Sequence, residues 1–349
     1  MALFLNSHGR KYAMKEAMFY EKLDDKAVQC NLCHHRCKIP EGKIGVCSVR
    51  KNQDGTLYSL VYGKAIAAHP DPIEKKPLFH FQPGARSMSI ATAGCNFRCS
   101  FCQNADIAHM PRVDGRIMGN NVMPEEVVRA AEREDCRNIA YTYTEPTIFF
   151  EYAYDIAKIA KDKGLKNVFV SNGYMTPEVV DEMTPLIDAV NVDIKAFSND
   201  VYKKYIGGEL DKVLETVEAI YNAGIWIEIT TLIIPTLNDG EEQMSSIVDF
   251  IAGLSVDIPW HISRFHPSYK LTSISATPLE TLQTAGEIGR EKGLHHIYIG
   301  NVWGGMGEDT ICWNCGKTLI KRVGFSLSEN KVRNSKCPYC DAPIAGVDL

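Results

Sequence analysis

Between residues 87 and 300 the chain alternates between two hydrophobic periods. SMSIATAG, NIAYTY, NVFVSN, AVNVDI, WIEITTLIIP, HISRF and HHIYIG are short apolar, β-rich runs. Each of the first six is followed by a stretch with apolar residues at helical spacing, beginning for example at Pro124 or running on to Lys163. Start signals sit where they should: Thr176-Pro177-Glu178 opens one helical stretch, and Asn238-Asp239 precedes GEEQMSSIVDFIAGL. Continuous apolar strands alternating with helices predict a parallel sheet covered by helices. Six or seven such units suit a barrel or partial barrel, although the pattern by itself also admits a doubly wound sheet.

The flanks read differently. A charged segment near Lys15 to Lys26 predicts a helix, and Thr56 to Ile66 looks like hairpins. PDPIEKKPLFHFQPG, rich in proline and ending in Pro83-Gly84, predicts an extended linker. Residues past Gly305 are too few to fold around a hydrophobic core, so a metal is expected there. The expected organisation is a cysteine-rich appendage with its linker over 1–85, a barrel over 86–304 and a metal-binding tail over 305–349.

Composition narrows the function classes. A net charge of -5 offers no electrostatic reason to bind nucleic acid or an anionic membrane. The apolar stretch in MALFLNSHGRKY is too short for a signal peptide, and no later run reaches the roughly 18 apolar residues a membrane span needs. A cytoplasmic protein is expected, in which thiols stay reduced and cysteines are read as ligands rather than disulfides.

In either parallel architecture, chemistry gathers where strands end at their C-termini. Cys95 follows the first strand, Thr144-Glu145 the second and Ser171-Asn172 the third; Asp193 and Lys195 close the fourth, and His266 follows the sixth. Such placement on one rim predicts a single active site. For single residues, plainer roles compete: Asn172 and Asp239 could cap the next helix, and Asp193 and Lys195 could form a structural ion pair. His261 sits too early in its strand to compete well with His266.

All cysteines but Cys136, read as a small buried hydrophobe, fall into three groups. Cys95, Cys99 and Cys102 form a C-x3-C-x2-C loop leaving the first strand. Structural zinc wants four closed ligands, and no fourth cysteine is near. His109 could complete such a set, but a closed knot would be misplaced at a catalytic mouth. An iron–sulfur cluster with one iron left open fits three thiolates better. Cys30, Cys33, Cys37 and Cys47 make a complete set for zinc or an auxiliary cluster, with zinc narrowly preferred. Cys312, Cys315, Cys337 and Cys340 form two CxxC knuckles, again favouring zinc, with iron as the alternative. A zinc-ribbon module for nucleic acid is a competing class, opposed by the acidic balance.

The cysteine loop, with Phe101 just before its third cysteine, resembles the radical S-adenosylmethionine (SAM) superfamily. Gln103-Asn104, TYTEP, SNG, DIK and RFHP look like its branch of pyruvate formate-lyase activating enzymes. The first cysteine group, PIEKKPLFHF and the CxxC knuckles resemble the AmmeMemoRadiSam system radical SAM enzymes, over nearly the whole chain. The resemblance implies an α/β partial (β/α)6 barrel with a zinc-ribbon-like tail, and a [4Fe-4S] cluster on Cys95, Cys99 and Cys102. It implies that S-adenosylmethionine binds the open iron and is reductively cleaved to a 5′-deoxyadenosyl radical, which takes a hydrogen atom from a substrate. Phe101, Thr144 and Glu145 would lie at the cofactor, the latter two where relatives carry a glycine-rich segment that this chain lacks. Ser171, Asp193 and Lys195 match positions holding the methionine carboxylate and amine, and His266 one near the ribose. Implied partners are an electron donor such as flavodoxin or ferredoxin and a protein or peptide substrate; a small-molecule substrate is the alternative.

Overall fold

The computed structural model describes residues 3–5, 11–302 and 307–349, so the boundary expected at 304/305 lies outside the described residues. The seven apolar runs all become strands of one sheet. An edge strand, β1 (Ala67–Pro72), runs antiparallel to β2 (Arg86–Ala91). There follow in parallel order β3 (Asn138–Tyr141), β4 (Lys166–Ser171), β5 (Ala189–Asp193), β6 (Trp226–Ile233), β7 (Trp260–Arg264) and β8 (Ile297–Gly300). Main helices α1 (Pro124–Arg133), α2 (Phe150–Asp162), α3 (Pro177–Met183), α4 (Leu210–Asn222), α5 (Glu241–Leu254) and α6 (Leu279–Glu291) make the crossovers. The result is six strand–helix units and a seventh parallel strand: a mixed α/β partial barrel. Every residue of β3 is buried, as a strand covered on both faces requires. No helix among the described residues is long and apolar enough to cross a membrane.

Two expectations about the flanks fail. The segment Lys15 to Lys26 is not a helix but two short strands, Lys15–Glu16 and Tyr20–Lys22, and a turn. They pair with Tyr58–Ser59 and with Val28–Cys30, so cross-strand pairing overrides the weak helical preference of charged residues. The proline-rich stretch is no exposed linker either. Its first residues belong to β1, and Ile73, Glu74, Lys76, Leu78, His80 and Phe81 are all buried. It plugs the barrel end opposite the strand C-termini, against Ala140, Val168 and Ala189. Irregular backbone can be buried there because side chains satisfy it: Glu228 accepts from the backbone N–H of Phe79 and His80, and Asn191 donates to the carbonyl of Pro77.

The tail docks beneath this plug. Arg322 donates to the Phe79 carbonyl at 2.8 Å, the Val347 N–H donates to the His80 carbonyl, and the His80 ring bridges Ala345 O and Tyr298 Oη. The cysteine-rich N-terminal region is stitched instead to α2, where the Arg50 guanidinium lies 2.9 Å from Glu151, both buried. Asn31 and Cys33 meet Thr176 and Met175 near the start of α3. This region therefore stands beside the catalytic rim, and the tail at the other end.

Candidate active site

After β2 the chain passes through Gly94 (φ +107°) into the cysteine loop. A side chain at Gly94 would lie 2.7 Å from Val49, so the N-terminal region closes directly over the loop's start. The loop is held from its other side by backbone bonds: Arg98 N to Ile206 O, Ser100 N to Tyr205 O, and Lys270 N to Ser100 O. Gly208 is needed at this contact, because a Cβ there would sit 2.4 Å from the Phe97 ring. Phe101 is buried, and its carbonyl accepts from Ser268 Oγ.

The three loop thiols face an interior. Burial pushes the Cys95 thiol well above its ordinary pKa, with Glu145 adding to the effect, and pushes Cys99 up to about 12 against the opposing charge of Lys195. They would be neutral thiols without a metal to deprotonate them. Three soft thiolates on one loop fit an iron–sulfur cluster with an open iron. The His109 ring is buried and stacked on Tyr269, with its Nδ1 engaged by Arg112.

The ends of β3 to β5 come together around the loop. Glu145 is buried, and its carboxylate accepts from Thr147 N, Thr147 Oγ1, Ser171 Oγ and the N–H of Asn172. Three of these donors crowd Oε1 and one reaches Oε2, so Glu145 ties β3 to β4 while Oε2 keeps an acceptor site. Burial nonetheless holds its pKa above the usual carboxylate range. Asn172 does not cap a helix: its side-chain amide donates to Asn96 Oδ1 at 2.8 Å and lies 3.8 Å from Cys95 Sγ. Thr144 Oγ1 donates to the Thr92 carbonyl, and Tyr143 holds a left-handed backbone (φ +64°) while its carbonyl accepts from Asn104. Such conformations in bulky residues cost of order 1–3 kcal/mol and cluster at functional sites.

Asp193 and Lys195 project from the end of β5 and pair at 2.8 Å, the lysine largely buried and the aspartate one-third exposed. Burial works against the lysine's charge, but Asp193 and the Cys99 thiol overcome it and hold its pKa above the ordinary value. Asn238, which the sequence suggested as part of a helix start, donates instead to the carbonyls of Lys195 and Leu232. Nothing in its local sequence signalled that role. His266 follows β7, but its ring bonds to the Asn301 carbonyl rather than to the loop. His261 pairs with buried Glu228 in the barrel's interior.

At the far end, Cys312 Sγ lies 3.7 Å from Cys340 Sγ, and Cys315 Sγ 3.7 Å from Cys337 Sγ. A tetrahedron with metal–sulfur bonds of about 2.3 Å has edges of about 3.8 Å, so this group is built for one ion.

Comparison with known proteins matches residues 89–250 to the radical SAM superfamily. The chain is 45% identical over 334 residues to an uncharacterized protein of Methanocaldococcus jannaschii, covering 95% of this chain and 99% of that one. It is 26% identical over 211 residues to the pyruvate formate-lyase-activating enzyme of Clostridium pasteurianum, covering 57% of this chain and 87% of that enzyme. Among solved structures, Streptococcus suis SuiB bound to S-adenosylmethionine aligns with a TM-score of 0.50 at 15% identity. That alignment covers 66% of this chain and 53% of SuiB, a likeness of fold alone.

Proposed function

The chain belongs to the radical SAM superfamily and is an enzyme of that family, and on this premise we propose an activating-enzyme-like oxidoreductase that removes a hydrogen atom from a protein or peptide partner. The observation that carries this reading is the open three-thiolate loop on the C-terminal rim, with the ends of β3 to β5 arranged around it. When bound, a four-iron cluster and S-adenosylmethionine supply one-electron cleavage of the sulfonium bond and a 5′-deoxyadenosyl radical that abstracts hydrogen.

Cys95, Cys99 and Cys102 would ligate the cluster, and Phe101 would pack beside it. Ser171, Asp193 and Lys195 would face the carboxylate and amine of S-adenosylmethionine, with Lys195 providing a fixed cation that burial and Asp193 keep in place. Thr144 and the strained Tyr143 would present backbone carbonyls to the amine. Glu145 holds Thr147, Ser171 and Asn172 in place, and its Oε2, which accepts from the Asn172 N–H, would take part in holding the cofactor's amine. His266, just past the end of β7, would lie near the ribose. Similarity to a pyruvate formate-lyase-activating enzyme supports a polypeptide substrate and a one-electron donor of the flavodoxin or ferredoxin type. The tail would hold zinc as a structural ion, and the reducing chemistry suits the cytoplasm.

Protein reconstituted anaerobically should show a four-iron signal that shifts with S-adenosylmethionine, and dithionite should release 5′-deoxyadenosine. Cys99→Ala should lose both; a variant that still cleaves the cofactor would sink the reading. Deuterium carried into 5′-deoxyadenosine from a partner labelled at glycine would identify a polypeptide donor. Label arriving only from small metabolites would exclude one.

A further inference from the structure

Just past the end of β3 the backbone reverses within three residues. The Thr144 N–H donates to the Thr142 carbonyl at 2.8 Å, and Tyr143 between them has φ +64°. A turn closed over one left-handed central residue is the rare, strained form of the γ-turn. Glycine adopts such a φ freely, whereas tyrosine stays there only where its surroundings hold it. The turn adjoins the cysteine loop: the Tyr143 carbonyl accepts from Asn104 Nδ2 at 2.8 Å, two residues after Cys102. A carbonyl oxygen can accept a second bond.

The side chain of Tyr143 reaches the edge strand β1 instead. Its hydroxyl donates to Asp71 Oδ2 and lies 3.1 Å from His69 Nε2. Its ring stacks on that of His69, with centroids 5.6 Å apart and 22° between the planes. Lys75 and Lys76 Nζ lie 5.6 and 4.8 Å from its centre. Asp71 is buried and fixed in turn: Lys75 donates to Oδ1 at 2.8 Å, and Lys76 and Ser89 donate to Oδ2 at 2.9 and 2.6 Å. Burial works against its charge, but these bonds and that from Tyr143 hold its pKa well below the usual carboxylate range. Ser89 lies on β2, and its bond with the two lysine contacts already ties β1 and the plug to the barrel. The tyrosine hydroxyl is the donor that carries this network to the catalytic rim.

We propose that Asp71 is a positioning residue for S-adenosylmethionine: through the Tyr143 hydroxyl it holds the strained turn whose backbone carbonyls receive the cofactor's amine, an inference that rests on the radical SAM reading of the loop. A bond to an ionised carboxylate is among the stronger ones available to a hydroxyl, and this carboxylate cannot move away. The edge strand thus does in this chain what a flexible residue at 143 would do without help.

Affinity for S-adenosylmethionine tests it, read from the shift in the electron paramagnetic resonance signal of the reconstituted full chain, together with the melting temperature. Tyr143→Phe keeps the ring and leaves Asp71 its bonds to Lys75, Lys76 and Ser89. It should fold and hold its iron, yet bind S-adenosylmethionine about tenfold more weakly, within the range that such a backbone conformation is worth. Asp71→Asn should weaken binding by a similar factor and also lower the melting temperature, because buried Lys76 loses its counter-ion. Glycine at 143 needs no support, so in a Tyr143→Gly background Asp71→Asn should leave the affinity of that background unchanged while still lowering its melting temperature. Wild-type affinity in Tyr143→Phe, or equal weakening by Asp71→Asn in both backgrounds, would overturn the proposal and leave the radical SAM reading standing. A wild-type signal blind to S-adenosylmethionine would remove that reading, and the role of Asp71 with it.

Discussion

At the end of β5, Lys195 is paired with Asp193 and also near enough to Cys99 for each to influence the other's proton affinity. The sequence put both on one rim, but not in contact, since three strands separate the two residues. Lys195→Ala should weaken S-adenosylmethionine binding by a charge-assisted contact, about 1.5–3 kcal/mol or roughly ten- to a hundredfold. Because the cation also faces the loop, its removal should lower the cluster's reduction potential while the iron content stays intact. Asp193→Asn distinguishes a cofactor ligand from a structural pair: lost affinity supports the former, and a lowered melting temperature at unchanged affinity the latter. Calorimetric binding and thermal melting of both variants decide it. Residue types on this rim were legible from sequence, but the hydrogen-bond network on Glu145 was not. Counting its four donors needs the three-dimensional positions of Thr147, Ser171 and Asn172.

The elements were legible where periodicity was strong and opaque where proline and charge dominated. All seven strands of the parallel sheet stand where apolar runs predict, because a strand covered on both faces must be apolar throughout. PIEKKPLFHF misled because its prolines read as linker, while its burial depends on Glu228 and Asn191 from distant strands. His80 in this plug is neutral by burial, its pKa lowered to about 3. The unfolded chain takes up a proton below about pH 6.5 while the folded ring does not, so stability falls on acidification across pH 6.5 to about 3. His80→Gln should flatten this dependence by up to about 1.4 kcal/mol per pH unit, read from denaturant midpoints. The tail makes its own prediction. Cys337→Ala should lose about one metal per chain and raise hydrogen exchange over residues 307–349. Cofactor cleavage should persist, since the tail and the cysteine loop lie at opposite ends of the barrel.

At the scale of the whole molecule, the N-terminal region is a cover for the catalytic rim rather than a detachable appendage. Its anchor is the buried pair of Arg50 and Glu151, reinforced by the Met18 N–H donating to the same carboxylate. Removing one member of such a pair strands the other charge, at a cost of about 3–5 kcal/mol. Arg50→Ala should therefore destabilise the chain by that amount in urea unfolding. It should also quicken bleaching of the loop cluster by air, and a variant with wild-type oxygen sensitivity would show that the cover plays no protective part.

What the sequence determined by itself is the kind of protein. Cysteine spacing and hydrophobic period are local properties, and they sufficed for the parallel core, the cluster loop on its first strand, and the order of polar residues around the rim. Tertiary structure alone decided how separate segments meet. It placed Cys47 against Gly94 and His35 against Asn96, the proline-rich plug under the barrel, and the tail beneath that plug. Those contacts join residues from 47 to more than 240 positions apart, and no local pattern encodes a partner at that distance. The same holds for the two four-cysteine groups. Their spacings promise a metal in each, but that the tail sulfurs come within 4.8 Å of one another is set by the strands and turns that carry them.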